Sequence, residues 1–454
     1  MKIVLIDIDT LRPDRLGCYG CNVNTSPNMD RLAKEGAIFT RAYTSNSPCV
    51  PARAAMISGR FGVANGLITH PGLGAWLSSE TYGKNSEGLV TRPLQKKNIK
   101  CASISSFYKH DHGMETGWFA YAFDERFDPN PFRKCQMDSA EDVNKIALPW
   151  LEQNKDQDFF LHIHYWEPHT PYDLPKEKHE AFLKNKPWNY PTKKMKEDHV
   201  KNFYAQGASR FGIDTVKGLE EFMNTYDAQI FEADLHLGRV IQKLEELNIL
   251  DDTLVIVTSD HGEQFGEQGM YGEHAAAVEP DLLVPLIIRL PNKVKAGLKI
   301  HEIVYSQDII PTIWEHAKAK PNVTDFESLW PLIKNPKKSI HPFLVCDHGL
   351  YTSTRAVIQK DWKLFLTYTP GYFGYQLYPP LSLFHLKTDP HEEQDVKNKN
   401  PKKVKELLKL LEEWRQRNGL TVENDPMIAL GNKGPRTYDF PSFFVQTEIN
   451  KHLK

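Results

Sequence analysis

The segment Ser47–Arg60, S-P-C-V-P-A-R-A-A-M-I-S-G-R, is the most informative part of the chain. A proline such as Pro51 is tolerated in a helix only in the first turn, where the amides have no partner in any case. The spacing therefore predicts a helix over Pro51–Arg60 with Cys49 at its entry. The remaining free amides and the helix dipole make such an entry a place for an anion. Arg53 lies one turn beyond Cys49, so its guanidinium can return to position 49. Read alone, the pattern fits a functional cysteine at a helix N-terminus or a merely buried one.

Outward from this segment the chain alternates strands with helices. Ile3–Ile8 is a short apolar strand ending in Asp7 and Asp9, followed by a helical pattern over 28–36 and a strand over Ala37–Tyr43. Strands are predicted at Ile99–Ser105, Phe159–Tyr165, Thr253–Thr258 and Pro285–Leu290, and helices at Ser139–Asn154 and Thr225–Leu247. The expected fold class is α/β, with a large mixed, mostly parallel sheet sandwiched by helices. In such sheets ligands bind beyond the carboxyl ends of the strands. Asp9, the Asp260-His261 pair and the His162–His169 region all fall at such ends. Residues 1–340 are expected to form this domain, with the lysine-rich segment 173–222 a lid or a solvated excursion. From 341 to 454 short strands and an amphipathic helix over Lys402–Arg417 predict a small C-terminal antiparallel sheet subdomain with an extended tail.

Composition bounds the function. The 454 residues carry 56 basic and 58 acidic side chains, a net charge of −2 with no long basic run, so no nucleic-acid partner is expected. The longest apolar runs, Ile3–Ile8 and Leu282–Leu290, are far too short for a bilayer span, and no membrane association is expected. Met1-Lys2 runs straight into the first strand with no leader before it. A cytoplasmic protein is expected, or a periplasmic or secreted one if a leader was removed. The cysteines at 18, 21, 49, 101, 135 and 346 are scattered, and the C-x-x-C at 18–21 has no second pair at zinc spacing. Reduced thiols are expected.

The string at 47–60 resembles the signature of the sulfatase family, within the alkaline-phosphatase-like superfamily. Ile57 stands where that family usually has leucine. The resemblance extends in order along nearly all the chain. It includes D-T-L-R-P-D-R-L-G-C-Y-G at Asp9–Gly20, W-E-P-H-T-P-Y at Trp166–Tyr172, S-D-H-G-E at Ser259–Glu263, and L-F-H-L-K-T-D-P-H-E-E-Q-D at Leu383–Asp395. It implies an alkaline-phosphatase-like fold and a sulfuric ester hydrolase. It also implies a Cα-formylglycine made from Cys49 by a formylglycine-generating maturation enzyme, with Arg53 holding that residue. Asp9, Asp260, His261 and residue 49 are then the ligands of a divalent metal. The hard oxygen donors favour Ca2+, with Mn2+ or Mg2+ as alternatives. Asp7 shares the strand face of Asp9 and is either a ligand or a group behind the ligands.

The implied mechanism begins with hydration of the aldehyde to a geminal diol. One metal-acidified hydroxyl attacks sulfur, an acid protonates the leaving oxygen, and a base removes the second hydroxyl proton to expel sulfate. His169 matches the leaving-group histidine. His274 falls where the family often has a lysine that contacts sulfate, and His70 is a candidate substrate contact. The usual G-K-W-H is absent, and Lys109 and His110 are the candidates for its cation and acid. His162 and His164 read as structural. Trp76, Trp118, Trp166 and Trp188 are either core or stacking platforms for a sugar. The expected substrate is a sulfated saccharide of glycosaminoglycan or mucin type. Asp9-Thr10 replaces the paired aspartates of many arylsulfatases, so a phosphonate monoester or phosphodiester hydrolase is the alternative. A catalytically dead glycan-binding relative would lack Cys49, Arg53 or the Asp260-His261 pair, and all are present.

Overall fold

The computed structural model describes residues 1–70, 88–107, 117–130, 138–172, 174–183, 188–202, 212–350, 352–369 and 378–433. An eight-stranded sheet runs in the order Leu298–Ile300, Ala37–Phe39, Leu286–Arg289, Thr253–Thr258, Lys2–Ile8, Phe159–Tyr165, Lys100–Ile104, Glu125–Phe127. Only Leu286–Arg289 runs against its neighbours, which gives the mixed, mostly parallel sheet expected.

The first strand shows why both faces are covered. Its odd residues Ile3 and Leu5 enter one apolar cluster with Val50, Ala54 and Ile57 of the helix Cys49–Ser58. Its even residues Val4, Ile6 and Ile8 enter a second cluster. There they meet the helices Pro27–Glu35, Ala140–Asn154 and Val216–Glu246. Strand side chains alternate, so Asp7 and Asp9 continue the odd face and point towards the Cys49 helix. That helix is buried on every side, which its small residues Ala52, Ala54 and Ala55 permit. It ends at Gly59, whose φ of +65° suits a residue without a Cβ and whose N–H donates to the Ala55 carbonyl.

A second sheet has the order Leu381–His385, Trp362–Thr369, Ser353–Gln359, Leu344–His348, Asn46–Ser47. The first four strands are antiparallel, as expected for the C-terminal segment. The fifth comes from the N-terminal part and pairs in parallel, Asp347 beside Asn46 and His348 beside Ser47. The helix Pro401–Arg417 packs on this sheet through Val404, Leu407, Leu408 and Leu411.

Two expectations change. The last thirty residues do not begin as an extended tail: Pro426–Lys433 is a helix, anchored where Ser353 Oγ donates to the Met427 carbonyl at 2.7 Å. Residues 434–454 lie outside the described residues. In the segment 173–222, the helices Lys176–Leu183 and Lys193–Asn202 precede the long helix, which starts at Val216 rather than Thr225. Thr215 caps it by accepting from the Gly218 N–H. No helix among the described residues is long and apolar enough to cross a membrane.

Candidate active site

The central strands deliver their polar residues to one point. Asp9 follows the end of the first strand, and its N–H donates to the Tyr165 carbonyl of the neighbouring strand. Asp260 and His261 follow Thr258. Cys49 opens its helix on the same side, and its Sγ lies 3.1 Å from His261 Nε2. Asp9, Cys49, Asp260 and His261 are all buried, and one ligand atom from each lies within 4.8 Å of the others. Beneath them Arg53 bridges three carboxylates. Its Nε donates to Asp7 at 2.9 Å, and one terminal nitrogen donates to Asp9 at 3.0 Å and to Asp260 at 2.6 Å. Its guanidinium carbon sits 4.6 Å from the centre of the Phe107 ring.

Behind the cluster three adjacent strands carry the same pattern: Asp7-Ile-Asp9, His162-Ile-His164 and Ser103-Ile-Ser105. The isoleucines Ile8, Ile163 and Ile104 all enter the opposite apolar cluster. The polar residues form two parallel rows. Ser103 Oγ lies 2.9 Å from His162 Nδ1, and His162 Nε2 lies 3.6 Å from Asp7. Ser105 Oγ lies 2.9 Å from His164 Nδ1, and His164 Nε2 lies 3.5 Å from Asp9. His162 and His164 are thus structural, as read from the sequence, yet they back the two aspartates directly. Asp7 is not among the four clustered ligand groups and stands as the group behind them.

The electrostatics follow from burial. Burial works against ionisation of Asp7, but Arg53, with the two histidines, holds its carboxyl at about 2. Asp9 is likewise held well below the usual range by Arg53 against its burial. Asp260 goes the other way: burial, with Asp9 and Asp7 beside it, outweighs Arg53 and pushes it well up. Burial keeps His261 neutral, the state a metal ligand requires. With all three carboxylates ionised, one guanidinium would leave two negative charges uncompensated, which is why Asp260 resists ionisation without a further cation. Asp7 Oδ1 and Asp9 Oδ1 have no hydrogen-bond partner. Buried charges are costly unless paired, so a divalent cation fits this donor set.

Two further histidines close in. His274 Nδ1 lies 3.0 Å from Glu263, and its ring centre lies 4.5 Å from that of His261. Burial would depress His274, but Glu263, with Glu273 and Asp281, raises it to about 9. The His169 ring centre lies 5.7 Å from that of His274, and its Nδ1 meets the Thr170 carbonyl, which leaves Nε2 available. His70 is buried immediately before residues 71–87, which lie outside the described residues. Lys109, His110 and Trp76 also lie outside the described residues.

Trp118, Trp166 and Trp188 are buried and are not open sugar platforms. Trp166 donates to Ser106 Oγ at 2.7 Å, and Trp188 stacks under Arg15 and donates to Asp227. Sequence reasoning missed the strain at Thr10. A β-branched residue there has φ +53°, and the turn it makes brings its N–H to within 3.3 Å of Asp260.

Comparison with known proteins identifies the family. A family model described as Sulfatase matches residues 2–319, and one described as N-sulphoglucosamine sulphohydrolase, C-terminal, matches residues 266–417. The chain is 25% identical to an N-acetylglucosamine-6-O-sulfatase of Bacteroides thetaiotaomicron, over 94% of this chain and 87% of that one. A solved structure described as in complex with its substrate D-glucosamine-2-N,6-O-disulfate superposes with a TM-score of 0.75 at 21% identity, covering 94% of this chain and 99% of that one. A phosphonate monoester hydrolase from Silicibacter pomeroyi superposes with a TM-score of 0.72 at 20% identity, covering 92% and 95%. These two likenesses show the fold.

Proposed function

The chain belongs to the sulfatase family of sulfuric ester hydrolases, and on that premise we propose that it releases inorganic sulfate from a sulfated saccharide, with residue 49 working as formylglycine. The observation that carries this reading is the meeting of Cys49, Asp9, Asp260 and His261 at one buried point above Arg53. The named relatives support the substrate class, since one is a glucosamine-6-O-sulfatase and one solved structure holds a doubly sulfated glucosamine. In this reading the host supplies a formylglycine-generating enzyme.

Asp9, Asp260, His261 and residue 49 would hold the divalent cation, calcium as first choice. When bound, it supplies Lewis acidity and compensates charge on the sulfate oxygens. The protein's own groups do the rest. Arg53 fixes Asp9 and Asp260 in place and keeps their charges from repelling each other. The free amides at the N-terminus of the Cys49 helix face the incoming anion. His274, backed by Glu263, donates to a sulfate oxygen. His169, with Nδ1 tied to the Thr170 carbonyl, presents Nε2 to the leaving oxygen and delivers a proton there. His70 is a further substrate contact in this reading, and Lys109 and His110 are the candidates for the cation and acid of the absent G-K-W-H.

A phosphonate monoester hydrolase is the second reading. Thr10 in place of a second aspartate favours it, as does the likeness to such a hydrolase in fold. The test is sulfate release from a panel of sulfated mono- and disaccharides, with phosphonate and phosphodiester substrates alongside, using protein co-expressed with a maturation enzyme. Mass spectrometry of the Cys49 peptide establishes conversion. Release from one sugar sulfate is the expected result. Turnover confined to the phosphorus substrates by converted protein would overturn the proposal in favour of the second reading.

A further inference from the structure

We propose that the chain with its encoded thiol at residue 49 is a zinc-binding protein, with Cys49, His261 and His274 as its three protein ligands. One donor atom from each of Cys49, His261 and His274 lies within 4.8 Å of the others, and all three residues are buried. Both imidazoles are already oriented for such a role. His261 Nδ1 meets the Gly262 carbonyl at 2.8 Å, which leaves Nε2 facing Cys49 Sγ at 3.1 Å. His274 Nδ1 is held by the Glu263 carboxylate at 3.0 Å, which leaves Nε2 available. A carboxylate or carbonyl behind each ring is the arrangement that fixes tautomer and aim in metal-bound histidines.

Distances and donor softness point to the same ion. Zinc–sulfur and zinc–nitrogen bonds of about 2.3 and about 2.0 Å at the tetrahedral angle require ligand separations of about 3.3–3.6 Å. Cys49 Sγ lies 3.1 Å from His261 Nε2, about 0.4 Å inside the sulfur–nitrogen separation such a site needs, so a small outward shift of the thiol admits the ion. A thiolate with two imidazoles prefers zinc, whereas calcium takes hard oxygen donors. Replacing sulfur by oxygen at residue 49 removes the soft donor. The cation preference of the same cavity therefore changes when the cysteine is converted. Binding exchanges the Cys49 S–H and His274 Nε2–H bonds for bonds to zinc and releases both protons to solvent.

The inference rests only on the encoded side chains, so its failure would leave sulfate release by the converted enzyme untouched. The full chain is expressed in a host without a maturation enzyme, and the Cys49 thiol is confirmed by mass spectrometry. It is then titrated with cobalt(II) chloride under reducing, anaerobic conditions. The expected result is one equivalent bound with a thiolate-to-cobalt charge-transfer band, displaced by zinc chloride but not by calcium chloride. Cys49→Ser removes the band. Glu263→Gln, with the fold checked by circular dichroism, weakens zinc binding by about 10–100-fold. Cys18→Ser/Cys21→Ser, which removes the only C-x-x-C in the sequence, keeps the band. Absence of the band, its survival in Cys49→Ser, or its loss in the Cys18/Cys21 variant would each overturn the proposal.

Discussion

Among the described residues, Arg53 is the single cation that touches Asp7, Asp9 and Asp260 at once. Arg53→Met should therefore destabilise the fold by about 3–5 kcal/mol, because it strands buried carboxylates rather than merely losing a contact. Urea unfolding of the purified variant measures this, and a midpoint equal to wild type would show the cluster to be otherwise compensated. Cys49 is a different kind of residue. It is small and buried, and it packs at a helix entry that other residues hold. Cys49→Ala should keep Tm within about 4 °C of wild type while abolishing sulfate release. Substantial residual turnover would remove residue 49 from the chemistry. His169 acts on the leaving group, so His169→Ala should slow esters with poor leaving groups far more than activated aryl sulfates. Equal losses on both would exclude it as the acid.

At the scale of elements, the rows Ser103–His162–Asp7 and Ser105–His164–Asp9 separate two jobs. The second row backs an aspartate of the ligand cluster and the first backs only the Arg53 pair. Ser105→Ala should weaken calcium binding by about tenfold or more, and Ser103→Ala should weaken it less. Calorimetric titration of the two variants checks the order, and the reverse order would reassign Asp7 as a ligand. These rows also show what a sequence discloses and what it hides. The strands, their order of polarity and the strand-end acids were legible from short-range periodicity. So were Cys49, Arg53 and the Asp260-His261 pair, through one motif each. The support beneath them was not, because it depends on which strands lie side by side. The repeated pattern D-I-D, H-I-H and S-I-S is visible in the letters. Only the register, which sets Ser103 beside His162 and leaves Asp7 on the diagonal from His162, turns it into two continuous rows. The fifth strand of the second sheet was hidden for the same reason, since a two-residue strand has no periodicity to read.

Across the whole molecule, side-chain contacts tie together elements that are separate in the chain. One of these titrates. Burial works against protonation of His341, but Asp308 at 2.8 Å, with Glu327 nearby, raises its pKa above the ordinary 6.5. A histidine raised in the folded state adds stability that is full below its unfolded value and is lost as pH rises through the folded one. The stability advantage of wild type over His341→Gln should therefore shrink as pH increases above about 6.5. Urea midpoints across that range test it, and an advantage that grew with pH would show the sign to be wrong.

The other long-range join has a consequence in time. Among the described residues, the strand Asn46–Ser47 pairs only with Leu344–His348, with Ser47 Oγ 2.8 Å from His348 Nδ1 across 301 positions of sequence. At about 5–20 residues per second, a ribosome needs about 15–60 s to supply that partner. Until then the lead into Cys49 has no strand to lie against, and the cysteine that is buried in the folded enzyme is still on an unlatched loop. The distance between two strands in the gene thus sets a working interval for any enzyme that must reach this side chain before the fold closes over it.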